Sequence, residues 1–115
     1  MKERWSIEDP ALFHPDHITV THRYDAPHAA VVWFGLKAGQ ALKEHETSSQ
    51  VMIQVLTGAI WMTAGTESFF LRAGETVVLQ AGVRHGFTAE DDALVQLIIV
   101  PHPRYHSLKE DLGLS

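Results

Sequence analysis

Short runs of β-branched and aromatic residues, each cut off by Gly, Pro or Asp before it can lengthen, constrain this chain more than any other feature. Ile18-Thr19-Val20-Thr21-His22 alternates apolar with polar residues, the period of a strand with one wet face. Asp25-Ala26-Pro27 then turns the chain. Ala29 to Leu36 (AAVVWFGL) is apolar throughout and reads as a strand buried on both faces, ended by Lys37-Ala38-Gly39-Gln40. Val51 to Leu56 and Ala59 to Thr63 flank Thr57-Gly58, which predicts a tight hairpin. Ser68 to Leu71, Thr76 to Leu79 and Leu94 to Val100 follow, separated by Ala73-Gly74-Glu75, Gln80-Ala81-Gly82 and Glu90-Asp91-Asp92. Short strands with turn signals about every eight to twelve residues predict an all-β domain, either a sandwich or a small barrel. Periodicity alone does not choose between those two. The first seventeen residues contain Pro10 and Pro15 and read as an extended N-terminal arm. Only His106 to Leu112 has a turn or two of helical character.

A chain of 115 residues has room for one core, so residues 1–115 read as a single domain with its core at about 18–100. Hydrophobic residues at 45% and charged residues at 20% are globular values and exclude a disordered or collagen-like chain. The net charge of −5 argues against nucleic acid or an anionic membrane as the partner, since both need clustered positive charge. With no cysteine, disulfides, thiolate zinc sites and thiol nucleophiles are excluded together. Any metal must therefore be held by nitrogen or oxygen. The longest apolar run falls far short of the roughly 20 residues a bilayer requires, and no apolar segment follows the charged N-terminus. A cytoplasmic protein is the expectation.

Two glycine-anchored segments place a histidine at a set distance from turns. The first is Gly39-Gln40-Ala41-Leu42-Lys43-Glu44-His45-Glu46-Thr47, with Gln54-Val55-Leu56-Thr57-Gly58 after it. The second runs Gly74-Glu75-Thr76-Val77-Val78-Leu79-Gln80-Ala81-Gly82-Val83-Arg84-His85. Together they resemble the two motifs of the cupin superfamily, G-x-x-x-x-x-H-x-H followed by E-x-x-x-x-x-x-G, and G-x-x-x-x-x-P-x-G-x-x-H-x-x-x-N. Gly39, His45, Gly58, Gly74, Gly82 and His85 fall in register, and the resemblance extends over about Leu36 to Val100. It implies a jelly-roll barrel, the double-stranded β-helix.

In metal-dependent members of that family, both histidines and the glutamate of the first motif and the histidine of the second hold a metal. Here His45 and His85 match, whereas Thr47 replaces the second histidine and Val51 the glutamate. Gln80 and Ala89 replace the family's proline and asparagine. The resemblance therefore implies a degenerate site for a divalent transition metal (Fe, Mn, Ni or Zn) on His45 and His85. Thr47 is a candidate because alternation would put it on the same strand face as His45. Gln54 and Gln50 are candidate amide-oxygen donors. Gln54 interrupts an apolar run and so needs a partner if buried, although its parity opposes Val51. The H-x-T and Q-V-L-T-G stretches are similar to those of some small cupins. Val51, Met52, Met62 and Phe87, with Gln50, are the expected pocket wall; Glu44 and Glu46 belong on the rim or surface. Trp33, Phe34, Trp61, Phe69, Phe70 and Phe87 are expected to be mostly core. His14, His17, His22, His28, His102 and His106 read as surface residues.

Two functions remain open at this point. One is an enzyme or metal protein whose ion would bind a small oxygen-rich molecule. The other is a non-catalytic barrel that takes a small-molecule ligand without metal. Exposed strand edges and an arm predict a homodimer in either case.

Overall fold

The computed structural model describes residues 3–101. The expected helical character at 106–112, and His102 and His106, lie outside them. A 3-10 turn (Pro10–Leu12) precedes nine strands: β1 Thr19–Ala26, β2 Ala29–Leu36, β3 Ala41–His45, β4 Gln50–Thr57, β5 Ala59–Ala64, β6 Glu67–Arg72, β7 Thr76–Leu79, β8 His85–Ala89 and β9 Ala93–Val100. They form an antiparallel five-stranded sheet of order β1-β2-β9-β4-β7 and an antiparallel four-stranded sheet of order β3-β8-β5-β6. The chain passes repeatedly from one sheet to the other, and those crossings resolve the choice between sandwich and barrel as a jelly roll.

Alternation along each strand sends one set of side chains inward. On β4 the inner set is Val51, Ile53 and Val55, at 1%, 0% and 0% exposure, while Met52, Gln54 and Leu56 point outward and are half-buried. Phe34, Leu36, Ile60, Met62 and Leu97 fill the space between the sheets. The hairpin between β4 and β5 needs Gly58: its φ is 77°, and a Cβ there would collide with the Asp92 carbonyl.

β2 is buried on both faces, as its continuous apolar run predicts. Its outer face is covered by the chain before β1. Leu12 packs with Trp33 and Leu94 in a second cluster, and the Thr19 hydroxyl donates to the Leu12 carbonyl. The Arg23 guanidinium stacks over Trp33 at 4.5 Å and Trp5 meets the same indole edge-on at 6.4 Å. Arg23 belongs to β1 and also lies 5.8 Å from the Trp5 ring, so the cation and the Trp33 indole together hold the arm's Trp5 against its own barrel.

Candidate functional site

β3 and β8 are neighbours, and their register places His45 directly opposite His85. Both side chains point into the barrel at 5% and 1% exposure. The pairing depends on an irregularity. Leu42 pairs with Phe87 and His45 with His85, so Lys43 and Glu44 together oppose the single residue Gly86. A bulge of this kind re-aims the side chain that follows it. The β3 backbone closes so tightly here that a Cβ on Gly86 would lie 2.8 Å from the Leu42 carbonyl oxygen and 2.9 Å from the Glu44 nitrogen. Gly86 lies within the second motif but has no place in the motif pattern; only the coordinates reveal its role.

The two imidazoles are held alike. His45 Nδ1 is 2.9 Å from the Lys43 carbonyl oxygen and His85 Nδ1 is 2.8 Å from that of Val83. A carbonyl can only accept, so each Nδ1 carries the proton and each Nε2 keeps a lone pair. The ring centroids are 4.4 Å apart at 62°. Both Nε2 atoms are buried and neither has a hydrogen-bond partner among the described residues. Burial pushes both imidazoles below their ordinary pKa against the opposing carbonyl bonds, and His85 and Arg84 lower His45 further. The pair is therefore neutral at pH 7, with two adjacent lone pairs turned inward.

The other expected ligands separate. Thr47 is buried but lies beyond the end of β3; its hydroxyl accepts from the Ser49 N–H at 2.9 Å and lies 3.3 Å from the Ser49 carbonyl, closing a local turn. Gln54 is not a third donor, because it projects from the outer face of β4 and its Oε1 accepts from Gln96 Nε2 at 3.2 Å. Gln96 in turn accepts from the Trp33 indole N–H at 3.0 Å, which answers the need for a partner in that apolar run. Gln50 is exposed and bonds Gln80 at 3.4 Å. Among the described residues no group of three or more His, Asp or Glu could hold a metal.

The expected wall divides by strand parity. Val51, Met62 and Phe87 are inside, with Met62 paired to Phe87 and Phe87 edge-on to Phe34 at 6.2 Å. Met52 is on the outer face, so it does not line the interior. Of the six aromatic residues expected to be mostly core, Trp33, Phe34 and Phe87 are buried, while Trp61 and Phe70 are 44% and 41% exposed, stacked edge-to-face on the outer face of the four-stranded sheet. Glu44 is on the rim as expected, bound to Arg84 Nε at 3.1 Å and to the Thr63 hydroxyl at 3.2 Å.

The cupin domain family model matches residues 32–101, more than half of the chain. This chain is a cupin. An RmlC-like cupin protein from Desulfovibrio desulfuricans is 25% identical over 88% of this chain and 97% of its own, with a TM-score of 0.79. An uncharacterised conserved protein with a double-stranded β-helix domain from Klebsiella pneumoniae reaches a TM-score of 0.80 at 16% identity, over 89% of this cupin and 92% of that chain. KdgF from a Halomonas species gives 0.72 at 21% identity, over 90% and 92%. Likeness at these lower identities carries the fold alone. No curated protein matches the sequence of this cupin. Among its described residues no helix is long and apolar enough to cross a membrane.

Proposed function

We propose that this cupin binds a divalent transition metal on His45 and His85 and presents it to a small-molecule ligand inside the barrel. The observation that carries the reading is the pair of buried, unpartnered Nε2 atoms on rings 4.4 Å apart. A buried acceptor without a donor costs about 1–3 kcal/mol, and one metal ion accepting both lone pairs would remove that cost at the two nitrogens together. Imidazole nitrogen suits Zn(II), Ni(II) and Fe(II), whereas Mn(II) leans toward oxygen donors. With no third carboxylate or imidazole grouped with them among the described residues, the remaining positions would fall to water or to the ligand's own oxygens. Once bound, such an ion supplies Lewis acidity to an oxygen that coordinates it. The chain's own contribution is orientation: the Lys43 and Val83 carbonyls fix both tautomers so that Nε2 is the ligating atom.

Equilibrium dialysis of untagged protein against each of the four ions tests the reading. Uptake of one ion per chain is expected, lost in both His45→Ala and His85→Ala. No uptake of any of them would overturn it in favour of a metal-free barrel. That no third donor joins the pair among the described residues favours that second reading: a ligand with N–H or O–H groups would satisfy both Nε2 atoms by hydrogen bonding. We also propose a homodimer joined along sheet edges, since β1 and β7 end one sheet and β3 and β6 the other. Sedimentation at twice 12.8 kDa would support the dimer, and sedimentation at 12.8 kDa would exclude it.

A further inference from the structure

The outer face of the four-stranded sheet carries a groove of about 220 Å³, lined by Lys43, Glu44, Trp61, Thr63 and Gly86 among others. Strand register explains the hollow. Gly86 lies between His85 and Phe87, which point inward, so its own position belongs to the outer face and leaves a gap there. Thr63 on β5 pairs with Gly86 from one side. On the other side the β3 bulge sets both Lys43 and Glu44 against Gly86, and both are exposed. Trp61 forms the apolar wall. Its partner on β6, Phe70, meets the indole at 4.9 Å and 78°, which restricts the rotamers of an exposed side chain. Glu44 is held as well: Arg84 Nε donates to one carboxylate oxygen at 3.1 Å and the Thr63 hydroxyl to the other at 3.2 Å. A carboxylate offers about four lone-pair positions, so acceptor capacity remains for a guest. The Lys43 ammonium has no ion pair among the described residues and supplies donors.

We propose that this groove binds one pyranose sugar ring. A pyranose carries apolar C–H groups on its faces and hydroxyls around its rim. The C–H groups suit the negative face of an indole, and the hydroxyls suit a fixed acceptor and a free ammonium beside it. Other occupants fit worse. Drug-sized apolar ligands fill pockets of about 300–1,000 Å³, and this smaller groove has charged groups in its wall. A nucleotide wants several cations on its phosphates, whereas Arg84 is committed to Glu44 and only Lys43 is left. A second barrel would need roughly 800 Å² per partner, far more than a groove with room for one ring. The site is separate from the buried histidines, which point to the opposite face of the same two strands.

Titrating methyl glycosides of glucose, galactose, mannose and N-acetylglucosamine into the full-length, isotope-labelled protein tests the proposal by NMR. At least one glycoside is expected to give saturable shifts at the Trp61 indole N–H and at the Lys43 and Gly86 amides, with the Trp33 indole unmoved. No saturable shift with any of them would overturn it, and so would equal shifts with sorbitol, an open-chain polyol that has hydroxyls but no ring. Movement of the Trp61 signal on dilution without sugar would give the face to a second copy and overturn it likewise. Trp61→Ala is expected to weaken binding about tenfold, read at the Lys43 and Gly86 amides. Lys43→Ala, which leaves the indole in place, is expected to weaken binding read at the Trp61 indole. Wild-type affinity in either folded variant would overturn the site.

Discussion

Each imidazole inside the barrel spends its one proton on a carbonyl two residues back in its own chain. That local bond leaves the far nitrogen bare, and the paired register then sets two bare nitrogens side by side. The consequence for acid stability has a definite sign. Burial depresses both folded-state pKa values below the ordinary 6.5, so the unfolded chain binds more protons in the interval between. The pair's contribution is complete above pH 6.5 and is lost as pH falls from there through the depressed values. Urea unfolding of metal-free protein should therefore show stability falling below pH 6.5, with a shallower fall in a His45→Leu, His85→Leu variant. An equal fall in both would assign the acid sensitivity to other groups. Motif spacing identifies both histidines from the sequence, but their tautomers and the outward turn of Gln54 depend on which carbonyl or amide stands next to each group in space.

The strands that carry the histidines are the ones hydropathy reads worst. β3 is ALKEH and β8 is HGFTA, and charged residues and glycine in them break up the kind of apolar run that marks β2, β4 and β9. Strand β4 is the converse case. Its apolar run is plain in the sequence, and parity opposes Gln54 to Val51; the same parity puts Met52 on the outer face, against its place in the expected wall. The exposed Trp61 and Phe70 escape the sequence reading because aromatic residues suit either face of a strand. Between β3 and β8 the contact is tight at one point only, where the bulge sits over Gly86. Gly86→Ala should push β3 away from β8, destabilise the fold by about 1–3 kcal/mol and weaken metal uptake. Thr88→Ala, at an exposed position on the same strand, should do neither. Urea titration and equilibrium dialysis read the two effects separately, and a Gly86→Ala protein with wild-type values in both would show that the close approach does not position His45.

On the scale of the molecule, both sheets share one interior, since the principal cluster draws on Val32 and Leu97 from one and Ile60 and Met62 from the other. Neither layer can bury its apolar face alone. Unfolding should thus be a single transition, with far-ultraviolet circular dichroism and tryptophan fluorescence tracing the same curve. Fluorescence from Trp33 reports the arm-covered face, so a separate early fluorescence change would reveal an arm that detaches before the barrel opens.

The pairing of β2 with β9 joins residues as far apart in sequence as Ala30 and Ile99, 69 positions on. A ribosome delivers these strands in order, so β2 waits, with no mate on one side, until β9 has left the exit tunnel. During that interval its run of bulky residues is open to any passing chain. Leu12 and Trp5, which pack on Trp33 in the folded chain, are already synthesised by then, so the cover for that face precedes the strand's last mate.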